Sequence, residues 1–178
     1  MTFHDLLIQR KSTRKFQDKT IEPEKINLLK EALLRSPTGK KKNHWDFILV
    51  QDKEMLQQLS NCKPHGAKLI AGAALAVIVI GDANQSDTWI EDCSIASILL
   101  QMQAEELELG SCWVQVHKRP HDEKSTAEDF VKNRTNIPPH KNVLSIIAIG
   151  YPLEKRAPDN APELLHQAIH LEKFNSEI

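Results

Sequence analysis

The sequence predicts an α+β protein with four main strands and one long central helix. Three observations carry that prediction. Residues 74–80 form a nearly continuous apolar run closed by Gly81-Asp82, with the length and β-branched content of a strand buried on both faces. Residues 88–109 form a long helical pattern in which Ile90, Cys93, Ala96, Ile98, Leu99, Leu100, Met102, Ala104 and Leu107 cover more than one face. Residues 143–149 repeat the buried-strand pattern and stop at Gly150-Tyr151-Pro152. A surface helix needs only one apolar stripe. The 88–109 helix is therefore central in the fold or shared with a second subunit.

The remaining elements follow in order. Residues 2–9 read as a short helix, with Thr2 as cap and Asp5 three residues on. Residues 10–22 read as loop. Residues 23–35 read as a helix with Pro23 in its first turn and Ile26, Leu29, Ala32 and Leu33 on one face. Ser36-Pro37-Thr38-Gly39 breaks it. Residues 45–50 are a strand, and residues 53–59 a helix with Met55, Leu56 and Leu59 inward. Gly110 is placed to end the long helix as a left-handed cap. Residues 111–117 are a further strand. Ser125-Thr126-Ala127-Glu128 resembles a capping box that opens a helix to about Arg134, before Pro138-Pro139. Residues 153–178 are polar and Pro-rich, with one amphipathic segment at 163–168.

A length of 178 residues suits one domain, 1–178, with a real core. Apolar residues make up 40% and charged residues 26%, a globular balance. A net charge of −1 argues against a protein devoted to nucleic acid or anionic membrane. The basic residues are instead concentrated, between Arg10 and Lys19 and at Lys40-Lys41-Lys42. Such patches fit a small anionic ligand better than a polyanion. Cys62, Cys93 and Cys112 are widely spaced and form no CxxC pair, which fits a reducing cytoplasm rather than a disulfide framework or a thiolate zinc site. No signal peptide or membrane span is visible.

The most informative stretch is Arg10-Lys11-Ser12-Thr13-Arg14-Lys15, with four cations and two hydroxyls in six residues. Arg presents a planar fork that matches phosphate, and Ser and Thr add neutral hydrogen bonds to the same oxygens. The plain alternative is a solvated basic loop. Lys40-Lys41-Lys42 before Asn43-His44-Trp45 has the same two readings, a solvated loop or the second wall of an anionic site. Arg156 would be a third basic contributor. His166 and His170 have the spacing of a helical metal pair, but no third ligand accompanies them. His65 stands in a tight turn. Glu91-Asp92 open the long helix, where acidic residues suit the helix dipole. No GxGxxG, GxxxxGK[ST] or GxSxG occurs, and Cys112 lies in an apolar strand unsuited to a nucleophile.

Taken together, these segments resemble the flavin-dependent nitroreductase family. The family opens with a helix and Arg-x-Ser-x-Arg, here Arg10-Lys11-Ser12-Thr13-Arg14. A Pro-Ser loop then leads to a Pro-Trp-x-Phe strand, here Ser36-Pro37-Thr38-Gly39 and His44-Trp45-Asp46-Phe47. A long helix ends in a Leu-Gly turn followed shortly by Trp, here Leu107-Glu108-Leu109-Gly110-Ser111-Cys112-Trp113. The close is Ile149-Gly150-Tyr151-Pro152. The match covers nearly the whole chain, in order.

The resemblance implies a mixed, mainly antiparallel central sheet of four to five strands flanked by helices. It also implies a homodimer with FMN at the subunit interface and the long helix within that interface. Arg10, Ser12 and Arg14 would hold the phosphate and ribityl chain, with Lys11 beside the pyrimidine end of the flavin. Pro37, Thr38 and Gly39 of the other subunit would line the isoalloxazine edge. Asn43, Gln115, Gly150 and Arg156 complete the implied cofactor set. Three departures matter. The family commonly has Asn where Lys41 stands and Pro where His44 stands. Residues 118–141 replace the helical insertion that covers the flavin in many relatives.

The implied activity is that of a cytoplasmic FMN-dependent NAD(P)H oxidoreductase, reducing nitroaromatics, quinones or a related acceptor by ping-pong hydride transfer. Lys11 would tune the flavin electrostatically. A specialised reductase of an enone or halogenated ring, a non-catalytic flavin carrier or sensor, and a basic-loop nucleic-acid binder are the alternatives. Flavin colour, its bleaching by nucleotide and the salt dependence of binding separate them.

Overall fold

The computed structural model describes residues 2–154 and 164–174. Strands β1 (Trp45–Val50), β2 (Leu75–Gly81), β3 (Gly110–Gln115) and β4 (Asn142–Gly150) form one sheet in the order β1-β2-β4-β3. Every pairing is antiparallel. Helices α1 (Phe3–Gln9), α2 (Pro23–Leu34), α3 (Lys53–Leu59), α4 (Trp89–Glu106) and α5 (Ala127–Thr135) flank it. The predicted α+β architecture, with four strands and a long helix, is the one observed.

The sheet divides two cores. Leu75, Val77 and Val79 of β2 face the side that holds Leu29 and Leu33 of α2 and Cys93, Ala96 and Leu100 of α4. Ala76, Ile78 and Ile80 face the other side, with Leu56 and Leu59 of α3 and Val131 of α5. Period-two alternation on a strand buried on both faces produces this split. Each fully buried Leu or Ile contributes about 1.5–3 kcal/mol. In β4 the alternation slips: Val79 pairs with Ser145 and Ile80 with Val143. Leu144 is the extra residue, and its carbonyl accepts from the N–H groups of Val116 and His117 at 3.1 and 3.0 Å. A bulge of this kind bends a strand and ends its regular pairing.

Local chemistry sets the helix ends. Thr2 and Asp5 form a capping box on α1. The box on α5 uses Thr126 and Asp129, not Ser125 and Glu128 as the sequence pattern predicts. Glu128 turns inward instead and accepts from Lys132 Nζ, Asn142 Nδ2 and Val143 N–H at 3.0–3.1 Å. Burial alone would raise its carboxyl pKa; hydrogen bonds from Lys132, Val143 and His117 outweigh burial and hold it low. Gly110 is not the left-handed cap of α4. Glu108 takes the positive φ, at 61°, and Gly110 lies inside β3. His166 sits in a three-residue 3₁₀ turn, while His170 packs on Phe174, so the pair does not share a helix. Among the described residues, no helix is long and apolar enough to cross a membrane.

Candidate functional site

The basic segment is strapped to the sheet. Arg10 ends α1, its N–H donating to Leu6 O at 2.9 Å. Ser12 then forms a parallel bridge with Ser111 of β3, and the Thr13 N–H donates to Ser111 O at 2.8 Å. Further along, Phe16 bridges Pro152, Gln17 N–H donates to Tyr151 O at 2.8 Å, and Leu153 N–H donates to Lys15 O at 3.0 Å. The segment acts as a fragment of a fifth strand on the free edge of β3.

Two glycines permit this approach. Gly110 and Gly150 stand opposite each other in the β3–β4 register. A Cβ on Gly110 would lie 2.6 Å from the Thr13 side chain, and one on Gly150 would lie 3.0 Å from Phe16. Both glycines thus serve close packing of the strap, which fixes the backbone that carries Arg10, Lys11, Ser12 and Arg14. Arg10 is half-buried, and Ser12 and Arg14 are exposed. No carboxylate pairs with Arg10 or Arg14 among the described residues. Two uncompensated guanidinium groups and a hydroxyl on a fixed backbone match a phosphate monoester in charge and donor type.

The strap's far end is tied by a second cluster. Lys25 Nζ donates to Leu107 O at 2.8 Å and to the Tyr151 hydroxyl at 3.0 Å. Tyr151 in turn donates to Glu22, and Lys19 sits 3.8 Å above its ring. The Tyr151 hydroxyl, with Glu22's own backbone and Lys19, holds the Glu22 carboxyl down at about 2. At the other end of β3, Gln115 is oriented on both sides. Its Oε1 accepts from Trp113 Nε1 at 2.9 Å, and its Nε2 donates to His117 O at 3.1 Å. Lys63 Nζ donates to the Gln115 carbonyl at 2.9 Å, and burial lowers the pKa of that ammonium.

The second predicted wall, Pro37-Thr38-Gly39, is held elsewhere. The Gly39 N–H donates to Asp92 Oδ1 at 2.8 Å, and the hydroxyls of Thr88 and Ser86 donate to Asp92 Oδ2 at 3.3 and 3.4 Å. Asp92 is only 5% exposed. The Thr38 hydroxyl accepts from the Asn43 N–H at 3.0 Å and donates to Asn43 Oδ1 at 2.9 Å, which closes the loop. Helix dipole alone, the sequence expectation for Asp92, misses this role. Its only sequence signal was an acidic residue at the start of an apolar helix.

The two walls stand at different levels of α4. Gly39 is tied to Asp92 in its first turns, and the strap bridges Ser111, whose hydroxyl accepts from Gln101 further along the same helix. The stretch of helix from Asp92 to Gln101 spans about 14 Å at 1.5 Å per residue. Gly150 joins the strap side through Phe16, and Gln115 lies at the other end of the same edge strand. Arg156 lies outside the described residues. Burial pushes the Cys62 thiol up to about 11 and Cys93 to about 12, so neither is a thiolate nucleophile at neutral pH.

A model of the Nitroreductase family matches residues 7–63 and 61–151. A protein of Methanothermobacter thermautotrophicus, named "Putative NADH dehydrogenase/NAD(P)H nitroreductase", is 32% identical over 168 residues, covering 93% of this chain and 84% of the relative. The solved structure of an FMN-dependent nitroreductase from Clostridium difficile superposes with a TM-score of 0.92 at 38% identity, covering 95% of this chain and 98% of that one. A second solved structure from Clostridium difficile, a nitroreductase family protein, gives a TM-score of 0.80 at 26% identity, covering 97% and 99% of the two chains.

Proposed function

This chain belongs to the nitroreductase family, and on that premise we propose that it is an FMN-dependent NAD(P)H oxidoreductase that works as a homodimer of single-domain subunits. The observation that carries the proposal is the strap: Arg10, Ser12 and Arg14 are fixed on the edge of β3 by the Gly110–Gly150 pair, without carboxylate partners among the described residues. The C. difficile neighbour at 38% identity, described as FMN-dependent, points the same way.

FMN, when bound, supplies the hydride chemistry, in alternate half-reactions with NAD(P)H and with a nitroaromatic, quinone or related acceptor. The protein's part is binding and orientation. Arg10, Ser12 and Arg14 hold the phosphate and ribityl chain through charge-assisted and neutral hydrogen bonds. Lys11 places a cation at the pyrimidine edge of the ring, where it favours added negative charge. Gln115, its amide set by Trp113 and the His117 carbonyl, offers a fixed polar group on the same edge strand. Gly150 lets the strap pack closely on the closing turn through Phe16. Pro37, Thr38, Gly39 and Asn43 of the partner line the ring.

The separation of the two walls along α4 supports the second subunit, because a partner protomer could bring its Gly39 wall to the strap of this one. The exposed apolar surface supports it too. Ile90, Ile95 and Ile98 of α4 are 38–43% exposed, and Phe3, Leu7 and Ile8 of α1 are 55–64% exposed. Leu164, Leu165, Ile169, Leu171 and Phe174 are half or more exposed. Surface of this kind marks an interaction site.

The test is colour and bleaching. Purified protein is expected to be yellow, and anaerobic NADH or NADPH is expected to bleach it. Colour that neither nucleotide bleaches points to a flavin carrier or sensor; absence of flavin affinity ends the reading.

A further inference from the structure

The turn Lys40-Lys41-Lys42 has no task in the reading above. All three side chains are exposed, and no carboxylate pairs with them among the described residues. The carboxylates at the neighbouring strand ends are engaged: Lys141 Nζ lies 2.9 Å from Asp46 and 3.4 Å from Asp82. Asp87 and Glu91 are exposed at the N-terminal end of α4, two acidic groups against three cations.

The backbone beneath the lysines is strained and clamped. Lys40, Lys41 and Asn43 all have φ of 54°, a region that residues with a Cβ seldom occupy and that clusters at functional sites. The Lys41 N–H donates to Thr38 O at 3.1 Å, and the Lys42 N–H donates to Gly39 O at 3.3 Å. With the Thr38–Asn43 and Gly39–Asp92 bonds, the turn is fixed while the side chains of Lys40 and Lys41 project into solvent and the Lys42 Nζ, also exposed, donates to Gln85 O at 3.5 Å.

We propose that this turn binds the phosphates of the dinucleotide hydride donor, an inference that rests on the flavin reading. The guanidinium groups of the strap are assigned to a resident phosphate, held by planar forks. Lysines are point charges on flexible stems, suited to a diphosphate that must arrive and leave in every turnover. The turn is contiguous with Pro37-Thr38-Gly39, the wall assigned to the ring, so a nicotinamide placed at the ring extends its phosphates toward these ammonium groups.

The variant K40Q/K41Q/K42Q, loaded with FMN, tests this by anaerobic stopped flow with NADH, NADPH and N-benzyl-1,4-dihydronicotinamide, a donor without phosphates. The Kd for both nucleotides is expected to rise by about tenfold to a hundredfold, from roughly twofold to fivefold per exposed charge pair. Flavin reduction by the benzyl donor is expected to stay within about twofold of wild type on the same exposed-pair scale. Calorimetric binding of ADP-ribose, which carries the diphosphate and no redox ring, is expected to weaken by the same factor as NADH. Added salt is expected to weaken ADP-ribose binding in wild type and to leave the variant nearly flat. A larger loss for NADPH than for NADH would extend the site to the 2′-phosphate. Unchanged nucleotide Kd, or an equal loss with the benzyl donor, overturns the proposal and leaves the flavin reading standing. A wild-type flavin that none of the three donors reduces overturns both.

Discussion

The backbone N–H of Gly39 donates to the carboxylate of Asp92, 53 residues away, at 2.8 Å. The same carboxylate accepts from Ser86 and Thr88. One buried acid thus joins the loop before β1 to the first turn of α4. Asp92→Ala would leave the Gly39 N–H and one hydroxyl of the Ser86–Thr88 pair without an acceptor. It is expected to cost about 1.5–3 kcal/mol of stability and to weaken FMN binding through the partner's loop. Asp92→Asn keeps an acceptor oxygen and is expected to recover most of both. Urea denaturation and dialysis against FMN measure the two effects, and equal behaviour of the two variants would remove the carboxylate's role.

Gly110 is the point where the strap touches the sheet. In Gly110→Ala the new methyl would meet Thr13 at 2.6 Å. Overpacking of that kind costs about 1–3 kcal/mol, and here it displaces the segment that bears the phosphate donors. FMN affinity is expected to fall with stability. The double variant Gly110→Ala/Thr13→Gly removes the clash and is expected to restore FMN affinity, as titration of the apoprotein would show.

Arg10→Ala and Arg14→Ala are each expected to weaken FMN binding by about 1.5–3 kcal/mol, the range for a hydrogen bond to a charged group. Affinity unchanged in both would move the phosphate site away from the strap. Equilibrium dialysis decides between the outcomes.

Ile95→Asp with Ile98→Asp places two carboxylates where the exposed face of α4 is proposed to meet its partner. Both positions are more than a third exposed in the protomer, so the fold itself is expected to survive. Burial of unpaired charge in the interface costs several kcal/mol per ion. Sedimentation equilibrium is expected to show a monomer near 20.2 kDa that no longer retains FMN. A dimer of unchanged stability would place the interface elsewhere.

Glu22 supplies a pH dependence. Its folded pKa is depressed from 4.5 to about 2, first of all by the Tyr151 hydroxyl. A depressed carboxylate stabilises the fold fully above its unfolded value and loses that contribution as pH falls through the folded one. Tyr151→Phe is expected to return the Glu22 pKa toward 4.5. The wild-type advantage is then present above pH 4.5, shrinks between 4.5 and about 2, and is absent below that. Carbon-13 NMR titration of the Glu22 carboxyl reads the shift directly, and unfolding midpoints across the same range read its consequence.

Much of this protein is set by short-range physics that the sequence states openly. Pro23 opens α2, Thr2 and Asp5 cap α1, and the β-branched run in β2 can only be a strand buried on both faces. The basic segment at Arg10–Arg14 was legible because its charge density has no use in a core. The tertiary structure alone decided where distant partners meet. Gly110 looked like a helix cap because a glycine after an apolar helix usually is one, yet it is needed for the approach of Thr13, 97 residues earlier in the chain. Asp92 looked like a dipole partner and anchors a loop, and Tyr151 reaches Glu22 across 129 residues. Periodicity and caps are properties of one segment. Close approach and buried hydrogen bonds are properties of two, brought together only when the sheet closes and excludes water from both.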